Sequence, residues 1–249
     1  MGLLGAGIVS GFAAGDERLE RPDFYDFSLV EQMERHLRPA DRERSLDELT
    51  CVVFDTETTG LDPDGADRIV SLAGVRVRAG VLKKSETFDA LVNPGRPIPA
   101  ASIRFHGITG AMVAEAPPIA VVLPAFLGFA ENGVLVGHQV WFDLRFLTRE
   151  AERLGLPLPA PGRPVLDTLL LSEVVHGPLE GHGLEALAER FGVVVRGRHS
   201  ALGDALTTAE VFVRLIDLLK KRGIVTLGDA LDAARRRRGS TAKPRGAGR

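Results

Sequence analysis

Apolar and polar positions along this chain come in blocks, and the period of the blocks changes from strand-like to helix-like. Residues 51–54 are a short apolar run that stops at Asp55, with Gly60 turning the chain behind it. Residues 68–77 and 86–92 have the make-up of two further strands separated by a turn around Gly80, so the core opens as a three-stranded meander. Residues 103–109 read as a loop or short helix, residues 119–130 as a helix, and residues 133–137 as a short buried strand bounded by glycines. Helical patterns follow at 142–154, 167–175 (with Asp167 as N-cap), 184–191, 200–220 and 226–236. The longest aligns Leu202, Ala205, Leu206, Ala209, Phe212, Val213, Ile216 and Leu219 in one apolar stripe. Ahead of the core, residues 28–37 and 45–49 predict two short helices split by Pro39. Strands first and helices later, with one strand among them, predict an α/β layer with a mixed sheet.

Composition narrows this picture only slightly. With 249 residues, 45% hydrophobic and 26% charged, the chain can bury a sizeable core, and a net charge of -2 argues against binding polyanions by bulk charge. Its single cysteine, Cys51, lies in the first apolar run and is expected to be a small buried hydrophobe. One cysteine excludes a disulfide framework or a cysteine-rich zinc site and suits a reducing compartment, so a cytoplasmic location is expected. The apolar stretch 2–14 has no basic residues before it and is too short to span a bilayer, and no later segment is long and apolar enough. No membrane partner is expected.

Charge is uneven along the chain. Acids outnumber bases over residues 16–48, whereas the run Arg235-Arg236-Arg237-Arg238 opens a stretch to Arg249 with no acid at all. The expected division is an N-terminal extension, partly helical or disordered, at 1–48; a main domain at 49–222; and a short helix with a disordered basic tail at 223–249.

Three acidic points carry the candidate chemistry. Strand alternation puts Asp55 and Glu57 on one face at the end of the first strand. Two such close carboxylates repel one another unless a cation or a proton lies between them, so the pair is either a solvated strand end or half of a divalent-metal site. Asp143, in Gly137-His138-Gln139-Val140-Trp141-Phe142-Asp143, falls in the first turn of a helix, where an acid also suits the helix dipole. His199 stands just before the longest helix, with Asp204 five residues on. His176 and His182 flank a Gly/Pro loop without ligands at zinc spacing, and His138 is expected to support the fold.

Together these residues resemble the DEDDh-type 3′→5′ exonucleases, the superfamily that includes the epsilon proofreading subunits, RNase T and oligoribonuclease. Asp55 and Glu57 match its first motif, Gly137, His138, Phe142 and Asp143 its second, and His199 and Asp204 its third, in order over roughly residues 49–219. The family commonly carries Asn where this chain has Gln139, and Trp141 is untypical. The resemblance implies a ribonuclease-H-like exonuclease fold, a mixed five-stranded sheet flanked by helices. It also implies two divalent ions, Mg²⁺ or Mn²⁺, held by Asp55, Glu57 and Asp204, with Asp143 binding directly or through water. His199 would be the general base, and the products nucleoside 5′-monophosphates. Thr56, Leu61, His106, Gln139 and Phe142 are the expected contacts to the terminal nucleotide.

The expected partner is the single-stranded 3′ end of a nucleic acid, DNA first, in proofreading or repair, with a separate DNA polymerase subunit as a further partner. An exoribonuclease or oligoribonuclease-like RNA turnover enzyme is the alternative, and a polymerase-docking or nucleic-acid-binding module is one of another class. An apolar strand ending in Asp-x-acid also opens phosphatases of the haloacid-dehalogenase class. Those need Gly-Asp-x-x-x-Asp downstream, and here Thr208 and Ala233 stand where the second Asp belongs.

Overall fold

A computed structural model of the chain describes residues 28–131, 133–156, 162–178 and 181–241. The apolar stretch 2–14 and residues 242–249 of the expected basic tail lie outside them. Five strands form one mixed sheet: β1 (Thr50–Thr58), β2 (Ile69–Arg78), β3 (Val81–Leu91), β4 (Val134–Gly137) and β5 (Val165–Asp167), in the order β3-β2-β1-β4-β5. β2 is antiparallel to β1 and β3, while β4 runs parallel to β1 and β5 parallel to β4. This is the expected mixed five-stranded sheet. The helices in chain order are α1 (Ser28–Glu34), α2 (Pro39–Arg42), α3 (Ala100–His106), α4 (Gly110–Val113), α5 (Ile119–Phe129), α6 (Trp141–Arg153), α7 (Thr168–His176), α8 (Leu184–Phe191), α9 (Ala201–Lys221) and α10 (Leu227–Thr241).

Two strands depart from what the sequence pattern predicts. β3 begins at Val81 rather than near residue 86, because Ala79 and Gly80 both adopt positive φ (51° and 71°) in a two-residue turn. That turn returns the chain at once into pairing, Val81 with Arg78 and Leu82 with Val77. β5 has only three residues, all buried, before the chain enters a helix. Three residues are too few to show a period, and the sequence pattern places no strand there.

β1 separates two apolar layers by simple alternation. Cys51 and Val53 face a cluster that includes Phe212 and Leu215 of α9 (Ala201–Lys221) and Leu170 of α7 (Thr168–His176). Val52 and Phe54 face Phe126 of α5 (Ile119–Phe129) and Phe146 of α6 (Trp141–Arg153). Cys51 is buried and unpaired, as expected. The alternation continues past the apolar run, so Asp55 and Glu57 extend the layer toward α9 and Thr56 the layer toward α6.

The described part of the N-terminal extension packs on this core. Val30 and Met33 of a helix at Ser28–Glu34 join the layer of Phe54, and Leu37 and Leu46 join the layer of Val53. At the other end, Leu227–Thr241 is a helix that buries Leu227, Ala230, Leu231 and Ala234. The helix expected over 226–236 runs on, so the expectation of a disordered arm is corrected for Arg237 and Arg238. Glu34, itself buried, accepts from Arg235 at 2.8 Å and Arg238 at 3.0 Å, and this counter-charge from the far end of the chain draws the arginines in. Among the described residues no helix is long and apolar enough to cross a membrane.

Candidate active site

Parallel pairing of β1 with β4 puts the carboxyl ends of both strands at one edge of the sheet, and the start of α9 meets them there. Asp55, Glu57 and Asp204 each offer a carboxylate oxygen, and these oxygens lie within 4.8 Å of one another. Oδ2 of Asp204 accepts from the backbone N–H of His199 (3.1 Å) and from Arg198 (2.6 Å), while Oδ1 is buried without a partner. A buried carboxylate oxygen left open beside two other carboxylates is a donor set of hard oxygens suited to a divalent cation.

Asp143 stands beside that trio, with its own partner. Its Oδ1 accepts two hydrogen bonds from Thr56, 2.9 Å from the amide and 2.6 Å from the hydroxyl. The reason lies in β1: Thr56 faces α6, whose first turn carries Asp143, while its neighbours face α9. Thr56, expected to hold the nucleotide, commits its hydroxyl hydrogen to Asp143 and is buried.

Without a cation the cluster favours protons. Burial first, then the charges of Asp143, Glu57 and Asp204, raise Asp55 well above the usual carboxylate range. Burial, with Asp204 and Asp143 adding to it, pushes Glu57 up to about 8. Burial also lifts Asp143 to about 7, against the opposing hydrogen bonds from Thr56. Asp204 is raised by burial too, with Arg198 pulling the other way.

His199 sits at the mouth of this cluster in a left-handed conformation (φ 60°), and its ring packs against Phe105 with centroids 4.1 Å apart. Nδ1 is enclosed without a partner. Burial and the neighbouring Arg198 charge lower its pKa, so the ring is neutral and able to accept a proton at neutral pH.

The other expected contacts are spread around the edge. Leu61 is 62% exposed on the turn after β1. His106 closes the helix Ala100–His106; its Nδ1 accepts from the Ile108 amide (3.0 Å), so Nε2 carries the hydrogen toward the Thr58 carbonyl (3.2 Å). Both nitrogens are thereby engaged in tying that helix to the end of β1. Phe142 is half-buried, its ring 5.1 Å from Phe146 and 6.0 Å from Trp141. His138 bonds through Nδ1 to the Thr168 hydroxyl at 2.9 Å, in keeping with a supporting role.

Gln139 has φ 54°, a backbone region that Asn enters more readily than Gln. Its amide and that of Val140 donate to Asp167 at 3.1 and 3.2 Å, and Asp167 also caps α7 through the Leu169 amide. The pattern of residues identifies Asp167 only as that cap. Its second role, and those of Phe105, Arg198 and Glu185, were not read from the sequence. The one available signal was a cation, Arg198, directly before His199.

Comparison with known proteins sets this geometry in context. Residues 52–212 match the family model for exonucleases of the RNase T type. A DNA polymerase III subunit epsilon-like protein of Rhodobacter capsulatus is 52% identical over 214 residues, covering 85% of this chain and 30% of its own length. The chain thus spans under a third of that relative. Exonuclease X, solved in complex with 5′-overhanging duplex DNA, is 29% identical with a TM-score of 0.57, over 75% of this chain and 99% of that one. The nuclease domain of 3′hExo, a DEDDh family member bound to rAMP, shares the fold with a TM-score of 0.62 at 19% identity, over 72% of this chain and 96% of that one.

Proposed function

This chain belongs to the RNase T-type exonuclease family, with the DEDDh signature of 3′→5′ exonucleases, and on that premise we propose that it removes nucleoside 5′-monophosphates from the 3′ end of single-stranded DNA. The observation that carries this reading is the convergence of Asp55, Glu57 and Asp204, with Oδ1 of Asp204 buried and open. These three residues, with Asp143 directly or through water, would hold two divalent ions, Mg²⁺ or Mn²⁺. Bound there, the ions supply Lewis-acid polarisation of the phosphate and of the attacking water.

The protein's own groups do the rest. Thr56 fixes the Asp143 carboxylate, and the Asp204 carboxylate is fixed by Arg198 and by the His199 amide. His199 takes the water's proton at Nε2, its Nδ1 being enclosed by the protein. Leu61, Gln139, Phe142 and the helix closed by His106 border the space for the terminal nucleotide.

DNA is favoured over RNA by the relative's designation as epsilon-like. The same designation supports proofreading or repair alongside a separate polymerase subunit, in the reducing cytoplasm that a lone buried thiol suits. The test is digestion of a labelled DNA strand and its RNA counterpart with Mg²⁺, with and without EDTA. DNA is expected to be shortened stepwise from its 3′ end only when Mg²⁺ is free. Asp55→Ala should abolish the activity and His199→Ala should lower it by about 10²–10⁴-fold. Persistence in EDTA, or an Asp55→Ala protein as active as the wild type, would overturn the reading.

A further inference from the structure

Arg198 is the one cation whose side chain touches the carboxylate cluster among the described residues. Its Nη1 donates to Oδ2 of Asp204 at 2.6 Å and its Nε to Oε1 of Glu185 at 2.7 Å, on the helix Leu184–Phe191. Its side chain is about one-third exposed (30%), while that of Asp204 is buried (5%). The backbone beneath it is held tightly. Gly197 (φ 62°) and His199 (φ 60°) are both left-handed, Ser200 Oγ donates to the Gly197 carbonyl at 2.6 Å, and the Gly203 amide donates back to Ser200 Oγ at 3.2 Å. A Cβ at Gly203 would collide with the carbonyl oxygens of Arg196 and Gly197, so the loop lies directly on the first turn of α9. Arg198 is thus delivered to Asp204 by a built turn.

We propose that Arg198 is a positioning residue and resident counter-ion of the metal site: it occupies Oδ2 of Asp204, leaves Oδ1 as the single oxygen for a cation, and by its charge lowers the site's affinity for divalent ions. The physical ground is the competition between two kinds of positive charge for one carboxylate. A guanidinium against one oxygen partly neutralises the carboxylate and opposes a second cation at the other oxygen. Glu185 keeps that guanidinium in place from the far side. The consequence is a carboxylate cluster that stays assembled without metal and binds its ions reversibly rather than tightly.

The inference rests on the metal-site reading above, and direct Mn²⁺ binding separates the two. Mn²⁺ is titrated into the metal-free full chain and free Mn²⁺ is read by electron paramagnetic resonance, with no substrate present. Arg198→Gln, which removes the charge, should bind Mn²⁺ about tenfold more tightly than wild type and reach half-maximal exonuclease activity at correspondingly lower Mn²⁺. Arg198→Lys, which keeps the charge, should stay within about twofold of wild type. Equal or weaker binding by Arg198→Gln, or tightening by Arg198→Lys as well, would overturn the proposal while leaving the metal site intact. Should Arg198→Gln fail to fold, Glu185→Gln decides: with the Arg198 charge left to Asp204 alone, binding should weaken about threefold, and unchanged binding counts against the proposal. If wild type itself shows no saturable Mn²⁺ binding that Asp55→Ala removes, the metal-site reading fails and this inference falls with it.

Discussion

At the scale of single residues, the site is a set of acids kept under strain by their own burial. Glu57 moves from its ordinary 4.5 to about 8 and Asp143 from 3.8 to about 7, burial being the leading cause for both. The folded, metal-free protein therefore holds protons that the unfolded chain has already released. With folded values above unfolded ones, the associated stability is fully present below the unfolded values and is lost as pH rises through about 7–8. Melting in EDTA should accordingly give a Tm that falls between about pH 5.5 and 8.5, and Mn²⁺ should raise Tm more at the upper end, where it competes with fewer protons. A flat Tm across that range in EDTA would contradict the raised values. Asp55, Glu57, Asp143, His199 and Asp204 were legible from motif spacing because residue type and order carry them. The commitment of the Thr56 hydroxyl to Asp143 was not, since it joins positions 87 residues apart.

At the scale of elements, most of what positions the site follows from local pattern. Strand alternation in β1 sends Asp55 and Glu57 toward α9 and Thr56 toward α6, and the apolar stripe of α9 fixes which way its first turn faces. The start of α9 adds something that the stripe does not contain. Gly203 is there because the Arg196–Gly197 backbone occupies the space of a Cβ. Gly203→Ala should displace the turn that carries Arg198 and His199, costing about 1–3 kcal/mol in stability and lowering the exonuclease rate together with it. Urea unfolding and a single-turnover assay check both, and wild-type values in each would show that the turn has room to give. β5 and the early start of β3 escaped the pattern for a related reason: one is too short for a period, and the other depends on a left-handed Ala79 that residue type does not announce.

At the scale of the whole molecule, the two ends of the described chain are clasped. Glu34 lies buried between Arg235 and Arg238, and the Arg238 side chain is only 6% exposed. Removing the acid leaves a buried guanidinium without this counter-charge, so Glu34→Ala should lower stability by about 3 kcal/mol, measured by urea unfolding. The exonuclease rate at a temperature where the variant remains folded should be unchanged, because the clasp does not touch the acidic cluster. Unaltered stability would mean that neighbouring groups satisfy Arg238 without Glu34. The amino-acid sequence by itself determined the layers, the strand that presents Asp55 and Glu57, the long helix that brings Asp204, and the chemistry their side chains allow. Period, residue type and spacing are properties of a contiguous stretch, and they survive being read one stretch at a time. Only the tertiary structure decided which oxygen faces which donor: Thr56 on Asp143, Asp167 under Gln139, Arg198 on Asp204, Arg238 on Glu34. Those pairings depend on distances of a few ångströms between packed elements or across a tight turn, and no repeat along the chain encodes them.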